Sequence, residues 1–194
     1  MQQGVILGKH LDISRAEIFA QGIQIEKHYG QVALFSPKTE FSEFEKLAGI
    51  VKRGHVIKAE DIVATDLIGV SDRELGTFLK KRGVCRRYKD FEPMHTDEEI
   101  KTKGKEYIML DKDFQYVLEI DGYQDIARFS AIDFDKPVNS MQIGMMPAKL
   151  TQILVNIAVG KTPKTSTEGD ARRDITVYDP FMGLGTTYMV ANSM

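Results

Sequence analysis

Residues Val177–Met194 read VYDPFMGLGTTYMVANSM: a β-branched and aromatic run, a glycine-rich turn, then a segment that can wind into a helix. Strand, glycine turn and helix in that order is how an α/β nucleotide-type domain begins, so this stretch decides the fold expected for the C-terminal part. Gly183 and Gly185 make G-x-G, but the third glycine of a dinucleotide fingerprint would fall at Tyr188, which disfavours nicotinamide binding. No lysine follows the glycines, so a phosphate loop, which needs that charge beside its amide nest, is disfavoured as well. A ligand that wants close backbone approach without a pyrophosphate remains. S-adenosylmethionine is one: its carboxylate suits a helix N-terminus and its ammonium suits a nearby acid. Asp179 is the acid on offer, at the carboxyl end of the expected strand. Gly183 and Gly185 would let the backbone close on the cofactor, Phe181 would give an apolar wall, and Thr186 and Thr187 would help start the helix. The same residues also read as a plain strand-to-helix turn with a capping acid, and the glycines alone leave both readings open.

The rest of the chain sets the context. A length of 194 residues allows one comfortable domain or two small ones, and a formal charge of −2 means that any nucleic-acid contact must come from a local patch. One cysteine, Cys85, excludes an internal disulfide framework, and with only four scattered histidines no zinc cluster is expected. A reducing compartment follows as the default. The N-terminus lacks a basic segment followed by a sustained apolar core, and no apolar run approaches the ~18 residues of a membrane span, so a cytoplasmic chain without membrane contact is expected.

Upstream, "GVILG" alternates as a strand, and Ser14 with Glu17 reads as a capping box that opens a helix closed near Gly22. "QVALFSP", a helix around 40–48, and the segments "GIVKRGHVIK" and "DIVATDLI" complete a β-α-β-α-β unit through residue 70. Ser71 with Glu74 opens the helix that Gly83 closes, and Thr96 with Glu99 repeats the signal before Gly104. "EYIML" and "QYVLEID" read as strands about a "DKDF" turn, and "QDIARFSAIDF" as extended chain. Pro147 then suits a first helical position, and Leu150, Ile153, Leu154 and Ile157 at i, i+3, i+4 and i+7 predict that helix's buried face, with Gly160 at its end. "KTPKTSTEGDARRD" reads as a polar loop leading into the strand "ITVYD".

Here a resemblance enters. "DPFMGLGTT" resembles the D-P-F-x-G-x-G-T string of amino-group methyltransferases, which methylate exocyclic base nitrogens. "GMMPAKLTQILVNIAVG" is similar to the segment that precedes it in the THUMP-associated tRNA guanine-N2 methyltransferases and their RNA or DNA methylase relatives. "VILGKHLDISRAEIFA", "RRYKDF" and "KGKEYIML" also resemble the N-terminal and THUMP-like regions of that group. The resemblance implies a mixed α/β and α+β chain. Its expected parts are a ferredoxin-like unit over 1–70, a THUMP-like RNA-binding unit over 71–135, and the beginning of a Rossmann-like methyltransferase domain over 136–194. It implies that Asp179, Pro180, Phe181, Gly183, Gly185 and Thr186 face S-adenosylmethionine, and that the helix from Pro147 packs beside that pocket.

A working site of this class also needs an acid on the next strand for the ribose hydroxyls, ~20 residues on by analogy with the dinucleotide case. The family further uses a [D/N/S]-P-P-[Y/F] loop to grip the target amine. Met194 follows Gly185 by nine positions, and the prolines at 37, 93, 137, 147, 163 and 180 are all isolated, so neither the downstream nor a permuted catalytic loop is expected in this chain. The expectation is a truncated or split enzyme: no catalytic residue here, weak cofactor binding, little activity alone, and a separately encoded catalytic half as one partner.

"LKKRGVCRRYKDF" concentrates Lys80, Lys81, Arg82, Arg86, Arg87 and Lys89 about Tyr88 and Phe91. Such a cluster suits phosphates, with an aromatic able to stack on an unpaired base, in tRNA or another structured RNA. The plainer reading is that Lys80 to Arg82 complement a helix C-terminus and stay solvated. Cys85 reads as a small buried hydrophobe and Met141, Met145 and Met146 as filler. "HTDEE" is explained by its cap, and "DFDKP" is given no chemistry. The expected function is therefore the N-terminal part of an S-adenosylmethionine-dependent RNA methyltransferase acting on an exocyclic amine, most like guanine N2 of tRNA. The alternatives are a DNA amino-methyltransferase (adenine-N6 or cytosine-N4) and a non-catalytic RNA-binding half of a split enzyme.

Overall fold

The computed structural model describes residues 1–39, 44, 46–90, 105–135, 145–161 and 175–193. Among them lie eight strands, in one mixed and mostly antiparallel sheet, and five helices. The chain forms two compact units. One comprises Met1–Leu7, Ile25–Glu40 and Ile50–Gln124, the other Gly8–Gln24, Phe41–Gly49 and Asp125–Met194.

The first unit holds the sheet. Strand β1 (Gln3–Leu7) pairs antiparallel with β3 (Val32–Phe35) on one side and β4 (Ile50–Lys58) on the other. Strand β2 (Ile25–Tyr29) makes a tight hairpin with β3 through Gly30, whose φ of +55° suits a residue without a Cβ. Strand β5 (Thr65–Val70) runs parallel to both β6 (Cys85–Asp90) and β7 (Glu106–Met109), and β8 (Tyr116–Tyr123) joins β7 to β4 antiparallel. The order is β2-β3-β1-β4-β8-β7-β5-β6. At the β4–β8 bulge, Gly54 lets the strands close: an added Cβ would collide with the Glu119 carbonyl oxygen.

Strand alternation gives this sheet two apolar faces. Ile57, Ile68, Val70, Tyr107 and Val117 share one with Leu75 and Leu79 of helix α2 (Arg73–Lys81), which links β5 to β6. Val32, Leu34, Ile108, Leu110, Leu118 and Ile120 form the other. In the second unit, helices α1 (Leu11–Ala20), α3 (Ile126–Phe134), α4 (Ala148–Val159) and α5 (Thr186–Asn192) carry a core of Phe129, Ile132, Ala148, Ile153 and Val190, with Ala48.

Several local expectations are corrected. Ser14 and Glu17 do not cap α1; they are buried inside it, and the Ser14 hydroxyl donates to the His10 carbonyl. Glu17 instead turns inward, accepting from the backbone N–H groups of Ala48 (2.9 Å) and Gly49 (2.7 Å) and from Asn156 Nδ2 (2.6 Å). Helix α2 is capped by Asp72, whose carboxylate accepts from Glu74 N–H at 2.6 Å, and not by Ser71. "QDIARFSAIDF" is helical: Asp125 accepts from Arg128 N–H at 3.0 Å and starts α3. On α4 the buried positions are Ala148, Thr151, Gln152, Ile153, Val155 and Asn156, while Leu154 is largely exposed. The buried stripe is thus turned away from the purely apolar one, because Gln152 Nε2 and Asn156 Nδ2 both donate to the Lys46 carbonyl. The expected strand "ITVYD" forms no ladder, since Ile175–Asp179 join no sheet. Strands β2 and β6 went unanticipated. The helix expected at 40–48 lies largely outside the described residues, as do the Thr96 to Gly104 segment and the 162–174 loop.

Candidate functional site

The glycine turn belongs to the second unit. Asp179 and Pro180 open it, and the Asp179 carboxylate accepts from Phe181 N–H at 2.8 Å and from the Thr187 hydroxyl at 2.6 Å. One acid thereby fastens the start of the turn to the first turn of α5. Gly183 and Gly185 have φ of +53° and +80°, in the left-handed region where a Cβ is disfavoured. Gly185 N–H donates to the Met182 carbonyl at 2.8 Å, and the Gly185 carbonyl accepts from Met189 N–H at 3.0 Å as α5 begins. A Cβ at Gly185 would meet nothing within 4 Å, so the backbone there faces open space. Thr186 is buried beneath the turn, whereas Tyr178, Phe181 and Tyr188 are 86%, 91% and 64% exposed. The turn thus offers exposed backbone, a pinned carboxylate and an uncovered aromatic fringe.

The basic segment belongs to the first unit. Lys80 and Lys81 fill the last turn of α2, Arg82 is its C-cap, and Gly83, at φ +74°, turns the chain into β6. Lys80, Lys81, Arg82, Arg86 and Arg87 are all exposed. β6 is an edge strand, so Arg86 and Arg87 lie on a rim that no further strand covers among the described residues. Tyr88 is placed differently from its neighbours. Its ring lies against Gly76 of α2, where it would collide with an added Cβ, and its hydroxyl is 3.2 Å from the Thr77 hydroxyl. Cys85 is buried, and burial raises its thiol pKa, with Lys80 only partly opposing. It is a core residue.

Sequence reasoning missed a row of charged groups across β4, β7 and β8. Lys52, almost wholly buried, donates to Glu106 Oε2 at 3.2 Å and lies over the Tyr123 ring at 4.9 Å, and the Tyr123 hydroxyl donates to the same carboxylate. Burial, more than Glu106 can offset, lowers the Lys52 pKa. On the opposite face His55 Nδ1 is 3.0 Å from Asp121 Oδ2, Arg53 is 3.6 Å from Asp121, and Lys105 pairs with Glu119. Burial, reinforced by the Glu119 charge and hydrogen bond, raises the Tyr107 phenol. The signal was available: Lys52 and Arg53 interrupt a β-branched run, Glu119 interrupts another, and Glu106 opens a third. Among the described residues no group of three or more His, Cys, Asp or Glu side chains can hold a metal ion, and no helix is long and apolar enough to cross a membrane.

No protein-family model matches this sequence, and no curated protein matches it either.

Proposed function

We propose that the chain is part of an S-adenosylmethionine-dependent RNA methyltransferase acting in the cytoplasm on an exocyclic base amine, guanine N2 of tRNA being the nearest resemblance. In this reading a ferredoxin-like and a THUMP-like region share the sheet-bearing part, and the C-terminal part begins a Rossmann-like domain. The observation that carries it is the turn within "DPFMGLGTT", with both glycines left-handed, open backbone at Gly185 and an acid held at its mouth.

The residues fit the group. Two oxygens of Asp179 already accept one hydrogen bond each, yet a carboxylate has about four lone-pair sites, which leaves capacity for an ammonium. The start of α5 is where a carboxylate is favoured, with the Gly185 N–H itself already given to the Met182 carbonyl. Phe181 provides apolar cover, and Pro180 fixes the backbone that presents it. S-adenosylmethionine, when bound, supplies a methyl on a sulfonium; these residues would hold and orient its amino-acid end, and catalysis of an in-line transfer would rest chiefly on positioning. The exposed Lys80, Lys81, Arg82, Arg86 and Arg87 would take RNA phosphates.

NMR of the isotope-labelled chain titrated with S-adenosylmethionine tests the cofactor assignment. Weak but saturable shifts at the amides of Gly183, Gly185 and Thr186, abolished in Asp179→Ala, are expected; unmoved amides would remove the cofactor from the reading. For the RNA surface, the pair Arg86→Glu and Arg87→Glu should weaken tRNA binding and lower the salt slope by about 0.7–0.9 for each phosphate no longer neutralised. An unchanged slope would leave the segment as solvated surface.

A further inference from the structure

Next to the basic segment, in the same unit, lies a groove of about 300 Å³. Its walls include Phe78 of α2 and the C-cap Arg82, Asp113 and Phe114 of the β7–β8 turn, the carboxylate of Glu60, and Lys58 and Tyr116, which face each other in the β4–β8 register. That volume stands at the low end of ligand pockets, ~300–1,000 Å³, and admits one heterocycle rather than an extended ligand. The Phe78 and Phe114 rings are stacked, with centroids 4.8 Å apart and planes inclined by 18°. The Arg82 guanidinium lies over the Phe78 ring at 5.5 Å.

Phe114 is also the one non-glycine residue with positive φ among those described, at +54°. A bulky side chain is a costly choice there, and glycine or asparagine would meet the same backbone more easily. The turn does not need the ring. Asp111 pins it by accepting from the N–H groups of Gln115 (3.0 Å) and Tyr116 (3.3 Å). The ring packs with Phe78 against the core of the unit and also walls the groove, and backbone strain kept in place by its surroundings is characteristic of ligand-binding positions.

We propose that this groove receives one unpaired, amine-bearing nucleobase of a single-stranded RNA segment, whose flanking phosphates lie on Lys80, Lys81 and Arg82. The inference rests on the RNA-binding reading above and names the part of the RNA that the surface selects. The chemistry follows from the walls. Phe78 is already covered by Phe114 and Arg82, which leaves the Phe114 ring as the surface on which the π-face of a base can stack. Asp113, exposed at the rim, can only accept when ionised, so it favours adenine, cytosine or guanine, which carry an exocyclic amine, over uracil. Lys58 is paired with Glu60 at 3.1 Å, so of the two cations lining the groove it is Arg82 that joins Lys80 and Lys81 in taking the phosphates.

The test is fluorescence anisotropy of the full chain with labelled oligo-A and oligo-U at several salt concentrations. Phe114→Gly suits the left-handed backbone but removes a ring packed against the core, so circular dichroism must first show the variant folded. Its affinity for oligo-A is expected to fall about tenfold, the worth of one stacked base, with the salt slope unchanged. As a second variant, Arg82→Gln should lower the slope itself. If Phe114→Gly binds oligo-A as the parent does while Arg86→Glu with Arg87→Glu binds poorly, the groove is overturned and the RNA surface stands. Oligo-U binding as tightly as oligo-A overturns the selection by Asp113. Failure of the unaltered chain to bind any RNA overturns both readings together.

Discussion

A buried carboxylate with three N–H donors around it is the sharpest single-residue feature of the second unit. Burial raises the Glu17 pKa above its ordinary 4.5, against the lowering effect of its hydrogen bonds to Asn156, Gly49 and Ala48. The folded chain therefore holds this proton more tightly than the unfolded chain. The resulting contribution to stability is complete below pH 4.5 and is lost as pH rises through the raised folded value. Glu17→Gln lacks that titration and sets an amide among donors, costing about 1–3 kcal/mol. Urea unfolding across pH should show the gap between parent and variant narrowing as pH rises through that window; a flat gap would contradict it. At the glycine turn, Gly185→Ala meets no atom within 4 Å, so its expected cost of about 1–2 kcal/mol is the left-handed backbone alone. Thermal unfolding of Gly185→Ala beside Gly183→Ala checks this. Among single residues the sequence pointed to Gly22, Gly83, Gly160, Gly183 and Gly185 as turning the chain, because positive φ is a local property, and it missed Gly30. It misled at Ser14 and Glu17, since a capping box and a buried polar pair have the same spacing and only the partners, Ala48, Gly49 and Asn156, tell them apart.

Among the elements, β6 is the one whose residues admit two physical explanations. Arg86 and Arg87 sit on an edge strand, where charge discourages pairing with another chain, and the same charge suits phosphates. Arg86→Val with Arg87→Val separates them: sedimentation should reveal self-association if the arginines guard the edge, and a strictly monomeric variant would argue against that role. The strands β1, β3, β4, β7 and β8 were legible because alternation and β-branching coincide in them. β6 was hidden by its charge, and α3 by β-branched and aromatic residues that read as extended until Asp125 is seen to cap them. The buried stripe of α4 could not be found from hydrophobicity alone, since Gln152 and Asn156 belong to it through their bonds to Lys46. Residues 175–179 have strand composition without strand structure. A ladder needs a partner as well as a propensity, and no described strand pairs with them.

Across the sheet as a whole, the decisive joint is the pairing of β4 with β8, which makes one sheet of strands from both ends of the first unit. Lys52, Glu106 and Tyr123 come together at this joint, the first two buried. Removing one charge of the pair, as in Glu106→Gln, is expected to cost about 3–5 kcal/mol, while Lys52→Met with Glu106→Leu should recover most of it. Urea unfolding of Lys52→Met, Glu106→Leu and the double gives the coupling, and simple additivity would show that the pair acts independently. No reading of local pattern reveals this joint, because the two strands are distant in sequence. The same distance acts during synthesis. β4 can pair with β1 as soon as it leaves the ribosome, but its other edge must wait for β8, several seconds later at about 5–20 residues per second. Over that interval the nascent chain presents an open strand that carries Lys52, Arg53, His55 and Lys58. Charge on an uncovered strand discourages pairing with other chains, so Lys52, Arg53 and Lys58 would act as a guard at that stage, before Lys52 becomes part of the core.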